Sequence, residues 1–220
     1  MSGSLVSPET RARVRGLMTP IAVGLGRLGL SPNALTIIGF LIACVAAVAA
    51  GVGAWVVAGL LVVFGGVFDL FDGALARATG KVSKLGAFMD SVFDRWGEGV
   101  VYLGIVWGGL LAGLGVMAGL ATAAAVAAFM VSYTRAKAES LGFTPGTGMA
   151  NVGLAPREIR IVILTIGLVW GGLIGVVPVD LAGGALVIEA ALGLIAVLAT
   201  VTVIQRIYAT INQASKQEQG

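Results

Sequence analysis

Residues 69–94 read DLFDGALARATGKVSKLGAFMDSVFD, and the spacing of their acids decides the fold. Asp69 and Asp72 stand three apart and Asp90 and Asp94 four apart, so on α-helices each pair projects from one face. The segment between them holds Gly80, Lys81, Ser83 and Lys84, and is polar and short enough to do no more than reverse the chain. This predicts two antiparallel, neighbouring helices whose four carboxylates converge where the chain turns. Apolar runs of about 20 residues lie beyond both ends, long enough to cross about 30 Å of hydrocarbon as helices.

The whole chain has that character. Of its 220 residues 58% are apolar and 11% charged, with a mean hydropathy of +1.00. A soluble domain carries about 25% charged residues, so this chain lacks the polar surface that water requires and its solvent is lipid. Six membrane helices are expected near 34–52, 55–78, 86–111, 115–140, 157–177 and 182–210. Gly51-Val-Gly53 and the stretch 110–115 separate neighbours, and Pro178 closes the fifth helix. Residues 8–29, with Arg11, Arg13, Arg15 and Arg27 among Leu, Val and Ile, read as an amphipathic segment on the membrane surface. The first 30 residues contain no apolar core of a cleaved leader, and the polar tail from Ser215 is expected to fray. No repeat interrupts the pattern, so residues 1–220 form one all-α integral membrane domain.

Charge gives the topology. All 14 Lys and Arg fall at the N-terminus, between the second and third helices, in the first third of the third, between the fourth and fifth, or at the C-terminal end. The other three connections hold one charge, Asp180. Because basic segments stay cytoplasmic, both termini and the four aspartates are expected on the cytoplasmic side of a multi-pass protein of the cell membrane.

The residue types limit the chemistry. There is no histidine, and the lone cysteine, Cys44, lies inside the first apolar helix. Catalysis therefore rests on carboxylates, and any metal is hard and oxygen-bound. Four ionised carboxylates repel one another and are expensive beside lipid, and one or two divalent cations resolve both problems. Mg²⁺ or Mn²⁺ suits such ligands and commonly joins them to substrate phosphates. Gly73 leaves room for a ligand against the backbone, and Arg77 can fork onto phosphate oxygens. A purely structural set of salt bridges with Arg77 and Arg95 would need neither the carboxylate excess nor the glycines. A cation transporter would want acids near the bilayer midplane, open to both sides, rather than at one edge beside basic residues. Nothing points to nucleic acid.

The pattern Asp-x2-Asp-Gly-x2-Ala-Arg-x8-Gly-x3-Asp-x3-Asp, from Asp69 to Asp94, resembles the signature of the CDP-alcohol phosphotransferase family at all eight fixed positions. The resemblance implies two metal ions, one on Asp69, Asp72 and Asp90 and one on Asp69, Asp90 and Asp94. It also implies CDP-lipid contacts from Gly73, Arg77 and Ser83, and from Ser31, Pro32, Asn33 and Ala34 ahead of the first helix. Asp94 would take the proton from an acceptor hydroxyl that attacks the lipid-side phosphorus of CDP-diacylglycerol and releases CMP. The lipid tails then stay in the bilayer throughout.

Arg135, Arg157, Arg160 and Arg206 lie at three other helix ends on the same side. Singly each can anchor a helix to lipid headgroups; together they predict a phosphate on the acceptor. The run Ser132-Tyr133-Thr134-Arg135-Ala136-Lys137-Ala138-Glu139 and Gln205-Arg206 resemble the bacterial phosphatidylinositol phosphate synthases. That likeness implies inositol 3-phosphate as acceptor, with Ser132 beside the arginines. Glycerol 3-phosphate is the runner-up. A homodimer is implied by the family, with Gly104-x3-Gly108-Gly109 as a candidate contact. Glu98 could support the metals or cap Arg95, and Glu189 has no assigned partner.

Overall fold

The computed structural model describes residues 8–143, 149, 152–176 and 181–217, with backbone alone at 8–17, 176, 181 and 182. Pro178, Asp180 and the side chains of Arg11, Arg13 and Arg15 lie outside the described residues. Among the described residues there are seven helices: α1 (Pro8–Arg27), α2 (Pro32–Gly51), α3 (Trp55–Ala78), α4 (Lys84–Leu111), α5 (Gly115–Ser140), α6 (Arg157–Val176) and α7 (Leu181–Gln217).

Local signals set the ends that matter. Ser31 caps α2 by accepting the Ala34 N–H at 3.2 Å, and Pro32 opens the first turn. The residues expected as a turn ahead of the first helix are thus its cap and first turn. Ser83 caps α4 in the same way, accepting the Gly86 N–H at 3.0 Å. Between α3 and α4, Gly80 takes φ of 65°, which a side chain would strain, and so lets the chain reverse.

Five helices, α2, α3, α5, α6 and α7, are long and apolar enough to cross a membrane. In α4 the acids and Arg95 crowd the first half, and a continuous apolar stretch begins only after Glu98. Large apolar side chains such as Leu41, Phe129, Trp170 and Val197 are exposed around the bundle, as a lipid-facing surface requires. Within the tail expected to fray, residues 215–217 are helical, and α7 continues to Gln217. Its 37 residues would span about 55 Å, well beyond a hydrocarbon core.

The helices form two sheaves. α2 packs against both α3 and α4, and α7 packs against both α5 and α6, while α3–α6 and α4–α5 contacts join the two groups. The prediction that the two aspartate helices pack on each other is corrected here: α3 and α4 scarcely touch, because α2 packs against both. Glycines permit that wedge. A Cβ on Gly104 of α4 would stand 2.2 Å from the Ala47 carbonyl oxygen of α2, and one on Gly108 equally close to that of Ala50. Gly109 packs toward Met117 and Leu114. The stretch read as a dimer contact is therefore spent on packing inside the chain. α1 lies along α3, with Ala22 buried among Leu35, Phe71, Ala74 and Leu75.

Candidate active site

The aspartates are held by neighbours from α2 and α6. Asp72 is buried, and Thr36 of α2 donates its hydroxyl to Asp72 Oδ2 at 2.6 Å. Asp69 can approach α2 because position 39 is glycine; a Cβ there would stand 2.9 Å from Asp69 Oδ1. Arg157, the first residue of α6, reaches both sheets of charge: Nη2 donates to Asp69 Oδ2 at 2.8 Å and Nη1 lies 2.9 Å from Asp94 Oδ1. Asp90 is within electrostatic reach of Asp69 and Asp94. Arg95 comes no nearer to Asp94 than 3.6 Å. A cavity of about 40 Å³ opens beside Asp69, Asp94 and Arg157 and runs toward Gly39, Phe40, Gly65 and Phe93.

These residues fit a hard divalent cation. Their donors are all carboxylate oxygens, they outnumber the guanidinium charge between them, and a cation already bridges two of them. Among the described residues no three such ligands stand close enough to hold an ion with these side-chain positions; the guanidinium takes the facing oxygens of Asp69 and Asp94.

The residues expected to hold the CDP group come together along the same edge. The Arg77 guanidinium folds over Gly73, where a Cβ would lie 3.2 Å from its Nη1. Gly86, two residues into α4, sits between Ser83 and Asn33: a Cβ there would be 3.2 Å from Ser83 Oγ and 3.5 Å from Asn33 Oδ1. The first turns of α2 and α4 are thus side by side.

The basic set divides. Arg206 is buried; its Nε donates to the Val152 carbonyl at 2.9 Å and its Nη1 to the Val131 carbonyl, and it lies within electrostatic reach of Arg135 and Arg160. Among the described residues no carboxylate pairs with it. Arg135 pairs with Glu139 at 3.1 Å and remains half exposed, and Ser132 is half-buried one turn before it. Arg160 is engaged elsewhere. It is 1% exposed, it grips Glu98 with Nε at 2.8 Å and Nη2 at 2.7 Å, and its Nη1 donates to the Ala155 carbonyl. Glu98 therefore supports Arg160 rather than Arg95.

Three contributors escaped the sequence reading. Thr36 and Gly39 are the polar and the smallest members of one face of an apolar helix, a local oddity that could have marked them. Thr202 of α7 is fully buried and accepts the N–H groups of Leu154 and Ala155 at 3.1 and 2.9 Å. It ties down the segment that leads into Arg157.

Known proteins share this chain's sequence pattern and fold. The CDP-alcohol phosphatidyltransferase family matches residues 29–202. The archaetidylinositol phosphate synthase of Pyrococcus horikoshii is 37% identical over 200 residues, covering 91% of this chain and 94% of its own. The phosphatidylinositol phosphate synthase of Mycobacteroides abscessus is 33% identical over 220 residues, covering 95% and 88%. The phosphatidylinositol phosphate synthase of Mycobacterium tuberculosis, solved with CDP-DAG bound, superposes with a TM-score of 0.73 at 28% identity, over 88% of this chain and 92% of that one. The same enzyme in complex with manganese and citrate gives 0.74, over 88% of each chain. Sequence signature, helix arrangement and relatives agree, and the chain belongs to the CDP-alcohol phosphatidyltransferase family.

Proposed function

We propose that this chain transfers the phosphatidyl-type group of a CDP-linked lipid to inositol 3-phosphate, releasing CMP at the cytoplasmic edge of a six-span fold with both termini inside. The observation that carries the choice of acceptor is Arg206, a buried cation that donates to backbone carbonyls and lies within electrostatic reach of three arginines, Arg135, Arg160 and Arg95, and one acid, Glu139. A buried cation with more positive than negative charge around it is costly, and an anionic acceptor relieves it. The names of the relatives support the same headgroup. Those from archaea and bacteria differ in the lipid and share inositol phosphate, so the headgroup is the common element and the tails are set elsewhere.

Asp69, Asp72, Asp90 and Asp94 are the residues that would hold divalent metal, Mg²⁺ or Mn²⁺, as two ions. When bound, the metal neutralises the pyrophosphate and the departing CMP. The rest falls to the chain. Gly73, Arg77 and the paired first turns of α2 and α4 hold the nucleotide phosphates at the bilayer edge. Arg157, Arg206, Arg135 and Ser132 face the acceptor phosphate and orient its hydroxyl. Asp94 accepts the proton of that hydroxyl as its oxygen bonds to the lipid-side phosphorus. The phosphorus–oxygen bond to CMP breaks, and CMP leaves with the electron pair. The Glu98–Arg160 pair lies one turn deeper and touches no substrate; it keeps α6 in register with α4.

The test is CMP release by purified protein with a CDP-lipid, offering inositol 3-phosphate, free inositol, glycerol 3-phosphate and serine in turn. Selective release with inositol 3-phosphate is expected. Equal or greater release with glycerol 3-phosphate would move the assignment to that acceptor, and release with free inositol or serine alone would remove the phosphate requirement altogether.

A further inference from the structure

Arg157 is placed for two roles at once. A side chain reserved for an incoming anion has no reason to insert between two acids, yet its two terminal nitrogens lie 2.8 Å from Asp69 and 2.9 Å from Asp94. Those carboxylates come from different helices of one sheaf, and Arg157 comes from the other. We propose that Arg157 is a resident counter-ion of the aspartate cluster, that divalent metal displaces it, and that the freed guanidinium then receives the anionic acceptor. The inference rests on the assignment of the aspartates to metal made above.

The competition is direct. Metal and guanidinium seek the same inner oxygens, and two cations cannot share them without strong repulsion at this range. The side chain is free to leave. It is a quarter exposed, its Nε is buried without a hydrogen-bond partner, and the cavity beside it gives it room. The backbone that carries it is held fast. Thr202 secures Leu154 and Ala155, and one turn beyond Arg157 the sealed Glu98–Arg160 pair fixes α6 to α4. The geometry thus joins a swinging guanidinium to a fixed helix end. An order of binding follows: metal on the carboxylates first, acceptor second, because before metal arrives one of the acceptor's cations is engaged elsewhere. Resident positive charge also relieves repulsion among the acids while they await metal.

The decisive measurement is the Mn²⁺ affinity of the full-length purified protein, with neither CDP-lipid nor acceptor present, by calorimetry or by the paramagnetic signal of free Mn²⁺. Arg157→Gln removes the competitor and should bind Mn²⁺ about tenfold or more tightly than wild type, the equivalent of about 1.4 kcal/mol. Arg157→Lys keeps a charge but cannot span both carboxylates, and should fall between the two. Unchanged or weaker Mn²⁺ binding in both variants overturns the proposal, since an arginine that merely orders the aspartates would weaken metal binding when lost. Should Arg157→Gln not fold, Arg157→Lys decides alone: affinity at or below wild type refutes it. None of these outcomes depends on which acceptor is used, so failure of the inositol 3-phosphate assignment would show separately in the acceptor screen.

Discussion

Glu98→Gln should destabilise the protein far more than a change of one atom suggests. Arg160 is 1% exposed and the Glu98 side chain 7%, and two charge-assisted contacts of 2.7 and 2.8 Å join them. Glutamine fills the same volume, so no cavity term enters. It removes the negative charge and leaves the guanidinium buried against a neutral amide and the Ala155 carbonyl. Removing one partner of a buried pair costs about 3–5 kcal/mol, because the other charge is stranded. For a chain of this size about 1 kcal/mol moves the midpoint by roughly 2–4 °C, so a drop of about 6–20 °C is expected. Cys44 supplies the assay: it is the only thiol and is partly buried, so a thiol-reactive fluorophore reports unfolding in detergent. Replacing both partners, as Glu98→Leu with Arg160→Met, should recover most of the loss, since no charge is then stranded. A Glu98→Gln midpoint within 2 °C of wild type, or a double variant as unstable as the single one, would refute the reasoning.

Three further outcomes are expected. Thr36→Val removes the 2.6 Å hydrogen bond to Asp72 without changing shape; Mn²⁺ affinity should fall about 10–100-fold, as for other residues that orient a metal ligand, while Thr36→Ser should restore it. Gly104→Ala places a Cβ 2.2 Å from a backbone oxygen of α2. The helices must part, at a cost of about 1–3 kcal/mol, visible as a lower thermal midpoint that no flexible side chain can absorb. Asp94→Asn should lower CMP release by about 100-fold or more while CDP-lipid binding, followed by calorimetry, is largely kept; binding lost in parallel with turnover would leave Asp94 as a metal ligand alone.

The parts that could be read from the sequence are those whose signal is local. Apolar run length located the helices, and the three- and four-residue spacing of Asp69, Asp72, Asp90 and Asp94 brought out the carboxylate edge. What escaped depends on how helices rotate and which of them intervene. Nothing near Asp69 or Asp94 announces Arg157, whose distance along the chain is 88 residues from the first. Arg160 and Arg157 look alike in sequence, both at the start of α6, yet a rotation of three residues carries one into a sealed pair with Glu98 and leaves the other a quarter exposed. The insertion of α2 between the aspartate helices is written in glycines, and a glycine stripe does not say whether its partner lies in the same chain or another. The full length of α7 is not legible because the residues after Ile211, NQASKQ at 212–217, are mostly polar and extend no apolar stripe.

The division into two sheaves has a consequence for how such proteins diversify. α2, α3 and α4 contribute the four aspartates, Gly73 and Arg77; α5, α6 and α7 contribute Ser132, Arg135, Arg157 and Arg206. Both groups are knit by close glycine contacts, Gly104 and Gly108 of α4 against α2 in one, and Gly171 of α6 against Gly184 of α7 in the other. The two halves meet along a seam, where among the described residues Arg157 pairs with Asp69 and Asp94 while Arg135 and Arg206 pair with none of the four aspartates. On the proposed assignment, a new acceptor alcohol would call for changes at Ser132, Arg135 and Arg206 in one half of the bundle, with the aspartates of the other half left as they are.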